Sequence, residues 1–312
     1  MSDDIQFTVF TPTYNRAHTL HRVYNSLCAQ TLRDFEWIVI DDGSTDNTTE
    51  LIANWAESAD FPIRYFKQEH CGKHIAHNLA VREARGIFFI ILDSDDACVP
   101  HALERMVYHW NSIPERDRSL FSGVTGLCAN QYGEIVRDRF PFVPFDRSVR
   151  ERMFIYRLRG EKWGAVRTDV ARRFPFPDIR GTSFVPEGVV WFEIAKTYKS
   201  RGVNEVFRIY YVNDPKTGAT LSGKDLSSSA VGRSYYYVWL LNSELEFFLH
   251  SPLPFLKAGL MLPVVTWFSR QPFCGVLKSL ARPSAKAIVL FALPFALLIY
   301  AFEKMKTVVK SP

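Results

Sequence analysis

Cysteine is sparse and unpatterned. The five in 312 residues (Cys28, Cys71, Cys98, Cys128 and Cys274) are odd in number and form no C-x-x-C pair. That excludes a disulfide framework, offers no zinc-ligand spacing and fits a reduced, cytosolic compartment. A nucleic-acid footprint is missing as well. Of the formal net charge of +5, residues 251–312 hold eight Lys or Arg against one acid, Glu303, so residues 1–250 carry −2. A main domain that tracked phosphates would be basic. The acidic start, Met-Ser-Asp-Asp, runs straight into an apolar stretch, which argues against a secretory signal.

What is present is a core-forming composition, 47% hydrophobic, enough for one large or two small domains. Its centre is Ile87-Phe88-Phe89-Ile90-Ile91-Leu92, a run with the length and character of a strand buried on both faces, closed by Asp93-Ser94-Asp95-Asp96. In open α/β sheets ligands bind beyond the carboxyl ends of strands, so a site is expected there. Carboxylates without partners call for a cation. Hard oxygen ligands suit Mg²⁺ or Mn²⁺, held by one or two carboxylates plus substrate phosphates. The plainer alternative is a polar turn in which Asp95 or Asp96 caps the helix beginning near Pro100.

Upstream, Phe7–Phe10 is a predicted strand stopped by Pro12, and Asn15 stands where it would cap a helix carrying Leu20, Val23, Tyr24 and Leu27. Phe35–Ile40 is a second strand that also ends in acid, Asp41-Asp42-Gly43-Ser44-Thr45-Asp46, with Asp46 as the cap of a helix bearing Leu51, Ile52 and Trp55. Ile63–Phe66 is a third strand, and Ile75–Ala84 a helix leading into the central one. The alternation predicts a mostly parallel sheet with helices on both faces. Right-handed crossovers would bring both acid clusters to one edge.

Beyond Ala102–Trp110, a helix, come a polar link at 113–118 and a strand at Leu120–Leu127. Residues 130–165 are mixed and aromatic, without a single period. A short helix is expected at Arg167–Arg173, another opening at Val185-Pro186-Glu187-Gly188, and a strand at Val206–Val212. Asn213–Ser234 has the composition of a loop or lid, and Tyr235–Leu249 that of an apolar helix. Ala287–Phe302 is uncharged for sixteen residues but interrupted by Pro294, somewhat short of the ~20 a straight spanning helix needs. Its basic flanks (Arg282, Lys286, Lys304, Lys306, Lys310) suit a membrane surface or a re-entrant hairpin; the alternative is a buried helix closing the core.

Four motifs in order, Thr-Pro-Thr-Tyr-Asn-Arg (11–16), Ile-Asp-Asp-Gly-Ser-Thr-Asp-Asn-Thr (40–48), Gly-Lys-His-Ile-Ala-His-Asn (72–78) and Leu-Asp-Ser-Asp-Asp (92–96), resemble the family 2 glycosyltransferases of the GT-A fold. The resemblance covers about residues 5–215. It implies an α/β, Rossmann-like GT-A sheet, to which the composition adds a C-terminal apolar and basic helical segment. The halves would be 1–118 for the nucleotide-sugar and 119–234 for the acceptor, with a membrane-associating tail at 235–312. It further implies a nucleotide-diphosphate sugar donor (a UDP-sugar is favoured), Mn²⁺ or Mg²⁺, and inversion by single displacement.

By position, Thr11 and Tyr14 would flank the base, Asp41 would accept a hydrogen bond from it, and Asp42 would contact the donor or only shape the turn with Gly43. Lys73 would reach the diphosphate, Asp93 the ribose or a metal-bound water, and Asp95 the metal directly. Glu187 is the candidate general base, where the family's acidic pair reads Glu187-Gly188; a helix-start Glu is the structural alternative. Trp191, and less directly Arg180 and Trp163, would line the acceptor. His77-Asn78 departs from the family's Arg-Asn, so His77 is either structural or functional. The processive members' QxxRW motif is absent, which favours addition of a single sugar; the apolar, basic tail would place such an enzyme at the cytoplasmic face of the cell membrane, with a glycan or lipid-linked acceptor, in cell-surface polysaccharide synthesis. A non-catalytic binding module and a DxD phosphohydrolase are the competing classes. The phosphohydrolase motif usually closes the first strand rather than the fourth. A nucleotidyltransferase would place a glycine-rich basic loop where Thr11–Arg16 stands.

Overall fold

The computed structural model describes residues 5–179, 181–212 and 226–309. The chain divides into two compact units, residues 1–177 with 190–220, and residues 178–189 with 221–312.

In the first unit, β1 (Phe7–Thr13), β2 (Phe35–Asp41), β3 (Ile63–Lys67) and β4 (Phe88–Ile91) are parallel, in the order β3-β2-β1-β4. They are joined through helices α1 (Ala17–Cys28), α2 (Thr48–Ser58) and α3 (Lys73–Glu83). Every residue of β2 is buried, as a central strand covered on both faces requires. Its first charge, Glu36, is fully enclosed and fully used: it accepts from Thr8 Oγ1 (2.7 Å) and the Arg85 amide (2.8 Å) and pairs with Arg64 (3.2 Å). Breaking such a buried pair from one side costs about 3–5 kcal/mol. At Gly86 the β4 approach is so close that a Cβ would lie 2.3 Å from the Thr8 amide nitrogen.

The chain continues through β5 (Ala97–Cys98), α4 (Ala102–Asn111), β6 (Phe121–Asn130), β7 (Phe145–Arg147), β8 (Lys162–Arg167), α5 (Thr168–Arg173), α6 (Gly188–Thr197) and β9 (Lys199–Tyr210). Strand β8 pairs antiparallel with β4 and with β6, β6 is parallel to β9, and β5 and β7 both pair antiparallel with β9, completing a nine-stranded sheet. The parallel half matches the sequence reading, and the mixed half explains why residues 130–165 showed no single period: short strands alternate there with one π-helical turn at Glu151–Ile155.

Several expectations are corrected. Strand β1 does not stop at Pro12, which stays in register with Ile40, and the Thr13 carbonyl still accepts from the Asp42 amide at 2.8 Å. The central strand is shorter than 87–92, with Ile87 48% exposed. Strand β9 begins seven residues before the Val206 of the sequence reading. Its early charges obscured the pattern, yet two of them are matched: Arg201 makes a bidentate pair with Asp146 (2.9 and 2.7 Å), and Glu205 accepts from Arg105 (2.7 and 2.8 Å) and His109 (2.7 Å).

The Arg105 hydrogen bonds, opposed by burial and aided by His109, draw Glu205 down from its ordinary 4.5 to about 2. A depressed carboxyl contributes stability that is present above its unfolded value and is lost as pH falls through the folded one. The stability gap between the wild type and Glu205→Gln, measured by urea denaturation, is therefore expected to be widest at neutral pH and to close between about pH 4.5 and 2. A gap constant across that window would contradict the assignment.

In the second unit, α7 (Ala230–Ser243), α8 (Pro252–Phe268), α9 (Phe273–Ser279) and α10 (Pro283–Val309) form a helical group in which α8 packs on both α7 and α10. Gly259 permits the α8–α10 approach, since a Cβ there would meet Ile288 Cγ2 at 2.4 Å. Pro294 does not interrupt the tail: α10 runs 27 residues through it, about 40 Å at 1.5 Å per residue. Pro283–Lys306, with mean hydropathy 2.2 and 22% of its most apolar window buried, is the one helix among the described residues long and apolar enough to cross a membrane. Of the loop expected at 213–234, residues 213–225 lie outside the described residues, and the part from Ala230 is already helix α7.

Candidate active site

The register of the parallel strands builds the site. Thr13 pairs with Asp41 across β1 and β2, while the Leu92 amide donates to the Phe10 carbonyl at 2.8 Å on the other side. The segment Thr11–Asn15 therefore lies between the Asp41–Asp46 and Asp93–Asp96 clusters at one sheet edge, as the crossover rule anticipated.

The first two loops lock one another. Asn15 adopts φ +53°, a left-handed conformation that Asn tolerates better than most residues. Its amide donates to Ser44 Oγ (2.8 Å), and its Oδ1 accepts from the Thr45 amide (2.8 Å). Asp46 returns the contact, accepting from the Ala17 amide at the start of α1 (3.1 Å) and from Thr48 Oγ1 (2.6 Å). Asn15 is thus not the cap of α1: it holds the β2 loop, and Asp46 serves the starts of both helices. Gly43, at φ +90°, makes the turn between them.

Asp41 is fully buried; its oxygens accept from the Ser44 amide (2.7 Å) and the Tyr65 hydroxyl (2.6 Å). Burial and that bond to Asp41 push the Tyr65 hydroxyl up to about 12. Asp42 holds the segment leading to α3, accepting from Gln68 Nε2 (2.7 Å), the Cys71 amide (2.9 Å) and the Gly72 amide (2.9 Å), and pairing with His70 Nδ1 (2.9 Å). His70 in turn stacks on Tyr14, ring centroids 4.2 Å apart. Tyr14 is 45% exposed, so it is a surface ring at this edge and not a core aromatic. Thr11 is buried beneath, its Oγ1 accepting from Trp37 Nε1 at 2.9 Å.

The acid edge departs from expectation in one respect: its carboxylates are not without partners. Lys73, the first residue of α3, places its ammonium 2.5 Å from Asp93 Oδ1. Arg208 of β9, almost wholly buried, reaches Asp93 (3.4 Å), Glu161 (3.2 Å) and Asp96. Burial would raise Asp93, but the charges of Lys73 and Arg208 prevail and hold its carboxyl below the usual range. Asp96 goes the other way: burial, opposed by Arg208 and reinforced by Asp93, Asp95 and Glu161, pushes it up to about 7. Asp95 is only half-buried. Its carboxylate accepts no hydrogen bond from a described side chain, while its carbonyl accepts from Arg22 at 3.0 Å.

Among the described residues no group of three His, Cys, Asp or Glu forms a ready metal cage. The set still fits a hard divalent ion, because Asp95 offers a half-buried carboxylate that accepts no hydrogen bond from a described side chain. An ion that keeps its waters and shares substrate phosphates needs no more.

The other predicted residues separate. His77 is buried, its ring edge-on to Phe10, Phe89, Phe176 and Trp191; Asn78 clasps the Phe176 backbone (2.8 and 2.9 Å). Trp163 belongs to the core and donates Nε1 to the Ile91 carbonyl, so it does not line an acceptor pocket. Trp191 is half-buried on α6. Glu187 directly precedes α6, in the stretch assigned to the second unit. Arg180 lies outside the described residues. Sequence reasoning missed Arg208, although a lone cation between Phe207 and Ile209 in an apolar strand is itself a signal, since a buried charge demands a partner.

Residues 8–132 match the model of the family "Glycosyl transferase family 2". An uncharacterised glycosyltransferase of Nostoc sp. is 38% identical over 103 residues, 33% of this chain and 32% of that protein. The Escherichia coli UDP-Glc:alpha-D-GlcNAc-diphosphoundecaprenol beta-1,3-glucosyltransferase WfgD is 33% identical over 106 residues, 34% of this chain and 41% of WfgD. The matched stretch thus spans about a third of these relatives' length. Two solved structures share the fold: S. aureus TarS in complex with UDP-GlcNAc (TM-score 0.53, 18% identity, 93% of this chain and 80% of that one) and the mannosyltransferase PcManGT from Pyrobaculum calidifontis with GDP-Man and Mn²⁺ (TM-score 0.54, 21% identity, 97% and 83%).

Proposed function

We propose that this chain, whose residues 8–132 match glycosyltransferase family 2 and which has the GT-A fold, transfers one sugar from a nucleotide diphosphate to a glycan or lipid-linked acceptor with inversion at the anomeric carbon. The observation that carries this is the convergence of the exposed Tyr14 ring, the Asp93–Asp96 carboxylates and the start of α3 at one sheet edge.

Tyr14, backed by His70, is the face for the base, over a floor made by Thr11. Asp41 and Asp42, spent on the turns, keep that floor in place and present the donor with a rigid edge. Asp93 meets the ribose side of the donor, and Lys73 the diphosphate. Asp95, with Asp93, would hold Mn²⁺ or Mg²⁺, which when bound supplies charge neutralisation for the departing diphosphate. Glu187 takes the proton of the acceptor hydroxyl as its oxygen forms the new bond and the bond to the diphosphate breaks. Trp191 is a stacking surface for the acceptor sugar. A UDP-sugar is favoured as donor, in keeping with the UDP-GlcNAc of TarS, while the GDP-Man of PcManGT marks the alternative. The lipid-linked acceptor is supported by the acceptor named for WfgD.

The test is transfer of labelled sugar from UDP-, GDP- and dTDP-sugars into lipid extracted from the source membranes. Incorporation from one nucleotide class is expected. Donor hydrolysis or no turnover with every donor would contradict the reading.

The tail is assigned to the cytoplasmic face of the cell membrane. Phe291 (80% exposed), Phe295 and Leu298 on α10 line, with Leu256 of α8, an apolar groove of about 440 Å³, and Lys304 and Lys306 follow. With vesicles containing anionic lipid, the wild type is expected to float and Phe291→Ser/Leu298→Ser to remain behind. A wild type that stays in the dense fraction would contradict the assignment.

A further inference from the structure

Lys73 was expected on the diphosphate, yet it stands on Asp93. Its ammonium lies 2.5 Å from Asp93 Oδ1, on one of the two carboxylates assigned above to the metal. The acid edge gathers four carboxylates, Asp93, Asp95, Asp96 and Glu161, around two cations, Lys73 and Arg208. These two cations differ. Arg208 has a side chain 5% exposed and is fixed by three carboxylates. Lys73 pairs with Asp93, is 26% exposed, and carries its charge on a flexible four-carbon stem with three rotatable donors. It also begins an eleven-residue helix preceded by Gly72 at φ +96°, and a helix start attracts anions.

We propose that Lys73 is a stand-in cation: it neutralises Asp93 while the site is empty and must be displaced for a divalent ion to bind there, so that metal and nucleotide diphosphate bind together. The inference rests on the functional reading above and adds an order of events to it. A metal ion sits ~2.1 Å from a carboxylate oxygen, and two cations on that oxygen repel. Metal alone therefore competes with the ammonium. When a nucleotide diphosphate arrives with the metal, its phosphates receive Lys73 and remove the competition. The coupling is reciprocal, because metal and nucleotide shift one equilibrium. The device keeps the site from filling with metal unproductively and ties its charge balance to the donor.

The test is Mn²⁺ binding to the full chain, followed by the electron paramagnetic resonance signal of free Mn²⁺, with and without UDP, GDP or dTDP. In the wild type one nucleotide is expected to tighten Mn²⁺ binding by about tenfold or more. Lys73→Met is expected to bind Mn²⁺ alone about tenfold more tightly than the wild type and to lose most of the nucleotide-induced gain. Lys73→Arg, which keeps a cation in place, should stay near the wild type. Lys67, whose ammonium donates to the Ser44 carbonyl (2.9 Å), is the charge control, and Lys67→Met should leave Mn²⁺ affinity unchanged. If Lys73→Met binds Mn²⁺ no better than the wild type, or if Lys67→Met gains as much, the stand-in role is overturned while the donor site survives. If the wild type binds no Mn²⁺ with any of the three nucleotides, the metal-dependent functional reading falls and this inference falls with it.

Discussion

Replacing Glu187 by Gln is expected to lower turnover about a hundred- to ten-thousandfold while leaving nucleotide affinity unchanged. Gln has nearly the same shape and keeps a hydrogen-bond acceptor, but it cannot take up the acceptor proton. The loss should therefore appear in kcat and in kcat/KM together, the pattern of an interaction made in the transition state rather than in binding. The checks are initial rates at saturating donor and acceptor beside calorimetric nucleotide titrations. Wild-type turnover would return Glu187 to the alternative its position also allows, a negative charge favoured at the start of α6 by the helix dipole.

Asp95→Asn is expected to abolish metal-dependent nucleotide binding and to reduce transfer by about three orders of magnitude, since a Lewis acid at a leaving diphosphate is worth several kcal/mol. This variant is clean for a structural reason. The Asp95 carboxylate is half-buried and accepts no hydrogen bond from a described side chain, so its loss should leave Tm nearly unchanged. Its neighbour Asp96 is buried against Arg208, and its removal would confound folding with function. Turnover that survives in Asp95→Asn with Mn²⁺ still required would move the metal to other oxygens.

The parallel half of the sheet was legible because its strands are continuous apolar runs and its connections are amphipathic helices; β2 is buried at every residue. The site was legible for the same reason, since acids closing two such strands had to meet at one edge. What stayed hidden was reciprocity. Asn15 and Asp46 sit where caps belong, and each serves the other's loop, a contact no local pattern contains. The unpartnered cluster of carboxylates was misread because its counter-ions come from 20 and 115 positions away, Lys73 and Arg208 against Asp93. Strand β9 was cut short in the reading because Arg201 and Glu205 look like loop residues until Asp146 and Arg105 are placed beside them. Pro294 announced a break in the tail, yet α10 continues through it.

The central claim is that the edge formed by Tyr14, Asp93, Asp95 and Lys73 holds a nucleotide-sugar with its metal. The most direct test is thermal protection of the full chain by UDP-, GDP- and dTDP-sugars, each with and without Mn²⁺, in the wild type and in Asp95→Asn. A rise in Tm with one nucleotide class, requiring Mn²⁺ and absent from Asp95→Asn, is the expected result. No protection by any donor, or protection indifferent to both Mn²⁺ and Asp95, would contradict it and leave the fold without the proposed site.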